Sequence, residues 1–186
     1  MTAVRVVPSR AEDRPAVERF LQDHHTLSAA RRGELTHPSQ YPSVLAWSGD
    51  DLLGVATYVV SGTSCELLTL HATERLAGTG SALLAAVRGL AEQAGCTRLW
   101  VVTTNDNVDA LRFYQRRGFR LTALRPGAVD ASRRTLKPEI PTSGSYGIPL
   151  RDELELEMEL RQIRVRARTP SGDVVGRAGR RRPRAR

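Results

Sequence analysis

The chain has no apolar run approaching the ~18 residues that would span a membrane. The stretch from Met1 to Pro8 is too short and too soon interrupted to serve as a signal peptide, so a cytoplasmic protein is expected. Cysteine is scarce. Cys65 and Cys96 lack a CxxC partner and a nearby histidine at ligand spacing, which argues against a metal and for reduced, partly buried thiols. Lysine is nearly absent, with Lys137 the only one, so basic charge rests on arginine. That charge is localised: residues 162–186 hold nine arginines against one acid, Asp173, and account for the whole net charge of +8. A neutral body has no field to draw in nucleic acid. The arginine-rich stretch has no aromatics to stack on bases, which limits it to weak, salt-dependent backbone binding. The expected organisation is one domain over 1–161 and a basic, disordered tail over 162–186.

With 186 residues, 40% of them hydrophobic, the body can bury a core of ordinary size. A short strand is expected at Ala3–Val7, then a helix opening at Asp13 and Pro15 with Ala16, Val17, Phe20 and Leu21 on one face. Residues 23–42 are polar and suggest a loop with one helical turn. Ser43–Ser48 and Leu52–Gly62, joined by Gly49-Asp50-Asp51, predict a hairpin, and Cys65–Ala72 a further strand. Leu83, Leu84, Val87, Leu90, Ala91 and Ala94 then follow helical spacing up to Gly95. Thr97–Thr104 is almost wholly apolar, as a central strand covered on both faces should be. A short helix at Val108–Arg117, capped by Asn107 and stopped by Gly118, precedes a strand at Phe119–Leu124. A proline-containing connection over 125–150 leads to Arg151–Leu160, where glutamates alternate with Leu154, Leu156, Met158 and Leu160, predicting one solvated face. The whole predicts an α/β fold with a mixed sheet and no internal repeat.

The order strand, glycine-containing turn, helix has a chemical consequence. A helix start leaves about four N–H groups unpaired and carries partial positive charge, and glycine lets the backbone close on a phosphate. Two phosphate loops are excluded at Arg75-Leu76-Ala77-Gly78-Thr79-Gly80. No Gly-Lys-Ser/Thr follows, and Leu83 stands where a dinucleotide fingerprint needs its third glycine. An ordinary helix start remains compatible with the hexapeptide alone.

The hexapeptide fits the pattern Arg/Gln-x-x-Gly-x-Gly/Ala and resembles the coenzyme A signature of the GNAT family of N-acetyltransferases. About 25 residues on, Asn105 to Phe119 resembles the second family signature, Asn-x-x-Ala-x-x-x-Tyr-x-x-x-Gly-Phe, through Asn107, Ala110, Tyr114, Gly118 and Phe119. One departure is Ala77, where many members carry Arg or Lys. The resemblance covers roughly Ala3 to Leu160. It implies a mixed, mostly antiparallel sheet of six or seven strands with helices on both faces. It also implies acetyl-CoA as co-substrate, no metal, and direct transfer to a primary amine of a small molecule or peptide.

The resemblance further implies which residues serve. Leu70, His71 and Ala72 would offer backbone groups to the pantetheine arm and the thioester oxygen. Arg75, Leu76, Ala77, Gly78, Thr79, Gly80 and Ser81 would hold the pyrophosphate, and Asn105, Asn107 and Ala110 would border the arm. Asn107 serves equally well as a helix cap. Tyr114 would protonate the leaving thiolate, its alternative being an aromatic on the buried helix face. Glu66 is the candidate general base, with an ordinary strand carboxylate as the alternative. The family's glutamate aligns at Ser64, so by alternation Glu66 shares its face, with Leu68 and Leu70, while His71 points the other way. His24, His25, Arg31, Arg32 and His37 would line the acceptor groove. A non-catalytic CoA-binding sensor is the competing class, and the assembly state, monomer or homodimer, is left open.

Overall fold

The computed structural model describes residues 4–73 and 78–161. Arg75, Leu76, Ala77 and the 162–186 tail therefore lie outside the described residues, as does Ala3. The elements in chain order are β1 (Arg5–Pro8), α1 (Arg14–Asp23), β2 (Ala29–Arg31), β3 (Glu34–Thr36), β4 (Ser43–Ser48), β5 (Asp51–Ser61) and β6 (Ser64–Ala72). There follow α2 (Thr79–Gln93), β7 (Arg98–Thr104), α3 (Val108–Gln115), β8 (Arg120–Arg125), α4 (Ala128–Thr135) and β9 (Glu153–Glu159). Seven strands form one sheet in the order β1-β4-β5-β6-β7-β9-β8, and β2 pairs with β3 apart from it. Of the pairs in the large sheet, β6–β7 is parallel and the others are antiparallel. The α/β fold and mostly antiparallel sheet are as the sequence leads one to expect.

Alternation along the strands divides the core in two. One face of the sheet presents Val44, Ala46, Ala56, Leu67, Leu99 and Leu156 to Leu83, Leu84 and Val87 of α2 and to Tyr114 of α3. The other presents Leu45 and Val55 to Val17, Phe20 and Leu21 of α1. Burying each valine, leucine or phenylalanine among them stabilises by roughly 1.5–3 kcal/mol. Helices thus cover both faces. Three helix ends use the same stop, in which a left-handed residue turns two N–H groups back onto the last turn. Gly95 and Gly118 supply it for α2 and α3, and His25 (φ 56°) supplies it for α1.

Three regions differ from expectation. The 23–42 segment contains the β2–β3 hairpin, turning through Arg32 (φ 50°) and Gly33 (φ 80°), beside the one helical turn expected there, which is a 3-10 turn at Pro38–Gln40. The 125–150 connection contains α4, whose Arg133 donates to the carbonyls of Ile140, Pro141 and Leu150 and ties the connection down. The glutamate face of β9 is solvated only toward its end: Glu153 is 2% exposed and Glu155 7%, whereas Glu157 is half-buried and Glu159 exposed. Both Glu153 oxygens accept the backbone N–H of Arg32 at 3.1 Å, so the hairpin tip is pinned over that face. Glu155 pairs with Arg98 and Arg125. Such partners are what buried carboxylates require, and they come from segments far away in sequence.

Candidate active site

The single parallel pair opens. β6 and β7 are in register from Ser64 opposite Arg98 to Leu67 opposite Val101, and pairing stops there. Leu68–Ala72 and Val102–Thr104 run on past the last pair, so the carboxyl ends of two adjacent strands bound a gap. In open α/β sheets that is where ligands sit. Helices α2 and α3 both start at this end of the sheet.

A β-bulge marks the same point. Thr57 of β5 faces Thr69, but Tyr58 faces Leu67, which leaves Leu68 as the extra residue. In the ladder beyond it, Thr73 N–H donates to Leu53. Antiparallel pairs alternate between bonded and non-bonded, so Thr69 and His71 turn their backbone groups to β5. Leu70 and Ala72 turn theirs to the opening. Of the three residues expected to serve through their backbone, two are so oriented, and the His71 amide belongs to the ladder.

The bulge also reverses side-chain faces. Glu66 lies on the α1 side with Thr69 and His71, whereas Leu70 packs with Leu67 against the α2 side. Strict alternation, which puts Glu66 with Leu70 and opposite His71, is thereby corrected. His71 Nε2 lies 3.0 Å from Thr26 Oγ1, beside the His24 ring that stacks on Phe20. Burial, with His24 adding to it, holds His71 down at about 4, so it is neutral at physiological pH.

Glu66 Oε1 accepts from Arg31 Nη1 at 3.0 Å, and Arg31 Nη2 donates to the bulged Leu68 carbonyl at 2.9 Å. Glu66 Oε2 has no hydrogen-bond partner among the described residues. Burial raises the Glu66 pKa, and the Arg31 and Arg32 charges offset only part of that. Tyr114 lies on the opposite face, buried in the α2-side core and packed against Phe113 and Phe119. Burial pushes its phenol well above the ordinary value while the Arg31 charge pulls it down. Among the described residues nothing hydrogen-bonds to the Tyr114 hydroxyl.

The start of α2 leaves its first N–H groups facing away from any acid. Gly78 (φ 87°) is its cap, with open space where a Cβ would be, and no acid occurs in the first turn. Thr79 is buried, and Gly80 lies against Phe113 of α3. Asn107 caps α3 through its side chain to Ala110 N–H. Asn105 has a use the sequence does not reveal: it donates to the Pro149 carbonyl and accepts from the N–H groups of Arg151 and Asp152, clamping the connection to the β7–α3 turn. Asp106 continues the clamp by accepting from Ser145 N–H, and a Cβ on Gly144 would fall 2.0 Å from its Oδ2. His25 serves as the α1 stop, and His37 precedes the 3-10 turn.

One contributor, Gly54, escapes sequence reasoning, and Arg31, expected only to line the acceptor groove, has a larger part. Gly54 in mid-strand β5 makes room for the start of α2: a Cβ there would lie 2.8 Å from the His71 carbonyl oxygen and 3.1 Å from Thr79 Cγ2. A lone glycine inside a strand is the signal that could have found it. Arg31 becomes a centre of the site only through the hairpin that carries it. Cys65, whose thiol burial pushes up to about 12, and Cys96 are free and buried. No cluster of three metal-ligating side chains occurs among the described residues, and no described helix is long and apolar enough to cross a membrane.

A family model described as the acetyltransferase (GNAT) family matches residues 8–119. The uncharacterised protein YdhI of Bacillus subtilis is 44% identical over 104 residues, which cover 56% of this chain and 64% of YdhI. The chain thus matches less than two thirds of that relative's length. Among solved structures, an IAA acetyltransferase from Bacillus cereus aligns with a TM-score of 0.65 at 23% identity, over 85% of this chain and 100% of the other. A GNAT family acetyltransferase from Elizabethkingia anophelis with acetyl-CoA bound aligns at 0.59 and 20%, over 84% and 98%. At such identities the structural match speaks for the fold.

Proposed function

Because the chain belongs to the acetyltransferase (GNAT) family, we propose that it moves the acetyl group of acetyl-CoA to a primary amine of a small molecule or peptide, with both bound at once. The observation that carries this reading is the opening beyond Leu67 and Val101, with outward-turned backbone on one strand and an acid-free helix start beside it. Those features suit a pantetheine arm followed by a pyrophosphate. In this reading Gly78, Thr79, Gly80 and Ser81 hold the phosphates, with Arg75, Leu76 and Ala77 completing the turn. Ala110 and Asn107 border the arm.

The co-substrate supplies an activated acyl carbon as a thioester. The N–H of Leu70 polarises the thioester oxygen, a kind of contact worth about 3–4 kcal/mol when aimed at developing charge. Glu66 Oε2 takes the proton of the incoming ammonium, directly or through one water, while Arg31 holds Oε1. The raised Glu66 pKa suits a base working near neutrality. The carbon–nitrogen bond forms as the carbon–sulfur bond breaks, the Tyr114 hydroxyl gives its proton to the departing sulfur, and the second proton shed by the acylated nitrogen restores the phenol through solvent. Burial keeps the phenol protonated up to the moment of transfer, and a thiolate shielded from water in the opening gains proton affinity for the same reason.

The test is thiol release from acetyl-CoA across a panel of amines, with Tyr114→Phe alongside. Release with at least one amine, and a fall in kcat of about 10²-fold in the variant at unchanged acetyl-CoA affinity, is expected. Acetyl-CoA binding without release for any amine would instead make the protein a CoA-binding sensor.

A further inference from the structure

Arg117 follows the end of α3 and lies over the start of α2. Its Nη2 donates to Ser81 Oγ at 2.5 Å and its Nη1 to the Phe113 carbonyl at 2.9 Å. The guanidinium carbon sits 3.6 Å from the centroid of the Phe113 ring, and the same ring lies against Gly80. The side chain is thus held, half-buried, in one position beside the first turn of α2.

The charges at this point do not balance. No carboxylate pairs with Arg117 among the described residues. The groups that bear on its pKa are burial and the neighbouring Arg116, and both lower it, meaning both disfavour its positive charge. The helix end it approaches is itself positive, with no acid in the first turn. The Phe113 carbonyl and ring hold the guanidinium in place, but no negative charge among the described residues faces it or the positive helix end, so an anion between them would gain from both. Its neighbours Gly78, Thr79, Gly80 and Ser81 bring no cationic side chain. The planar fork of arginine matches phosphate oxygens that are also approached by backbone N–H groups.

We infer that Arg117 is a ligand of a diphosphate seated on the first turn of α2, reaching it from α3 across Ser81. This rests on the acetyl-CoA reading above and adds a residue from outside the glycine turn. It also makes the α2–α3 contact part of the binding site, since Phe113 both supports the guanidinium and packs on Gly80.

Calorimetric titration of acetyl-CoA, its 3′-dephospho form and acetyl-pantetheine into wild type, Arg117→Met and Arg117→Lys tests the inference. Loss of a charge-assisted hydrogen bond predicts about 10-fold weaker binding of both phosphate-bearing ligands to the Met variant, with acetyl-pantetheine unchanged. The Lys variant, which keeps the charge without the fork, should lie between. Equal affinity of wild type and Met variant for acetyl-CoA overturns the inference, as does an equal loss for acetyl-pantetheine, which would mark a packing effect. A loss confined to the ligand with the 3′-phosphate moves Arg117 to that phosphate and also overturns it. If the Met variant is unfolded by circular dichroism, the Lys variant decides by the same ratios. Failure of wild type to bind acetyl-CoA would instead defeat the functional reading beneath.

Discussion

Glu66 keeps one oxygen on Arg31 and leaves the other without a partner among the described residues, so one carboxylate can hold the hairpin and still accept a proton. Its pKa lies above the ordinary carboxylate value, chiefly through burial. A base must be ionised to act, so turnover should rise with pH through that raised value and then level off. Glu66→Gln keeps an oxygen for Arg31 and removes the base. The expected result is a loss of at least about 10-fold in kcat/KM together with disappearance of that acid limb. An unchanged pH profile would reduce Glu66 to an anchor for Arg31. The residue types of this site are legible in the sequence, as Tyr114 and Glu66 are. Their facing is not, because a single extra residue at Leu68 turns His71 to the side of Glu66 and Leu70 away from it. A bulge leaves no mark in the period of a strand this apolar.

The elements that follow from local chemistry are readable from the chain. The Asn107 cap and the Gly118 stop of α3 are local, and they give the Tyr114–Gly118–Phe119 spacing its physical meaning. Phe119 N–H returns to the Tyr114 carbonyl and the two rings meet at 5.2 Å between centroids. The β2–β3 hairpin and α4 are harder to read. β2 and β3 have three residues each and are held by distant partners such as Glu153, while α4 is amphipathic over only eight residues. Glutamate alternation on β9 likewise conveys polarity without saying that arginines cover it. Gly54 belongs to this scale, since it sets how closely α2 approaches β5. Gly54→Ala pushes a Cβ against the backbone oxygen of His71, which cannot swing aside as a side chain can. A loss of about 1–3 kcal/mol by urea unfolding is expected, with weakened acetyl-CoA binding. Stability equal to wild type would show that the helix start has slack.

For the molecule as a whole, the α1 side carries a pH dependence that the catalytic reading does not need. His71 is held near 4 when folded and returns to an ordinary value near 6.5 when unfolded, with His24 and Thr26 as its neighbours. The unfolded chain therefore binds the extra proton between those values. Stability from this group is complete above about 6.5 and is lost as pH falls toward about 4, by roughly 2–3 kcal/mol. Glu155 works in the same direction at lower pH. Burial alone would raise it, but Arg125 and Arg98 bring it below the ordinary carboxylate value. Melting temperatures between pH 4 and 7.5 should fall steeply in wild type and less so in His71→Gln. Parallel curves would remove His71 from the account. The proposed boundary at 161 also belongs to this scale: the β9 ladder ends at Glu159, and Leu160 N–H returns to the Thr97 carbonyl.

The central claim is that the α2 start beside the β6–β7 opening holds acetyl-CoA, and position 80 addresses it most directly. Among the described residues a Cβ at Gly80 would meet the Phe113 ring, at an ordinary 3.5 Å, so Gly80→Ala should fold and bind acetyl-CoA within a few-fold of wild type. Gly80→Glu brings a carboxylate to the same spot and should bind at least about 100-fold more weakly, with its circular dichroism unchanged. Equal acetyl-CoA affinity for wild type, the alanine variant and the glutamate variant would contradict the account.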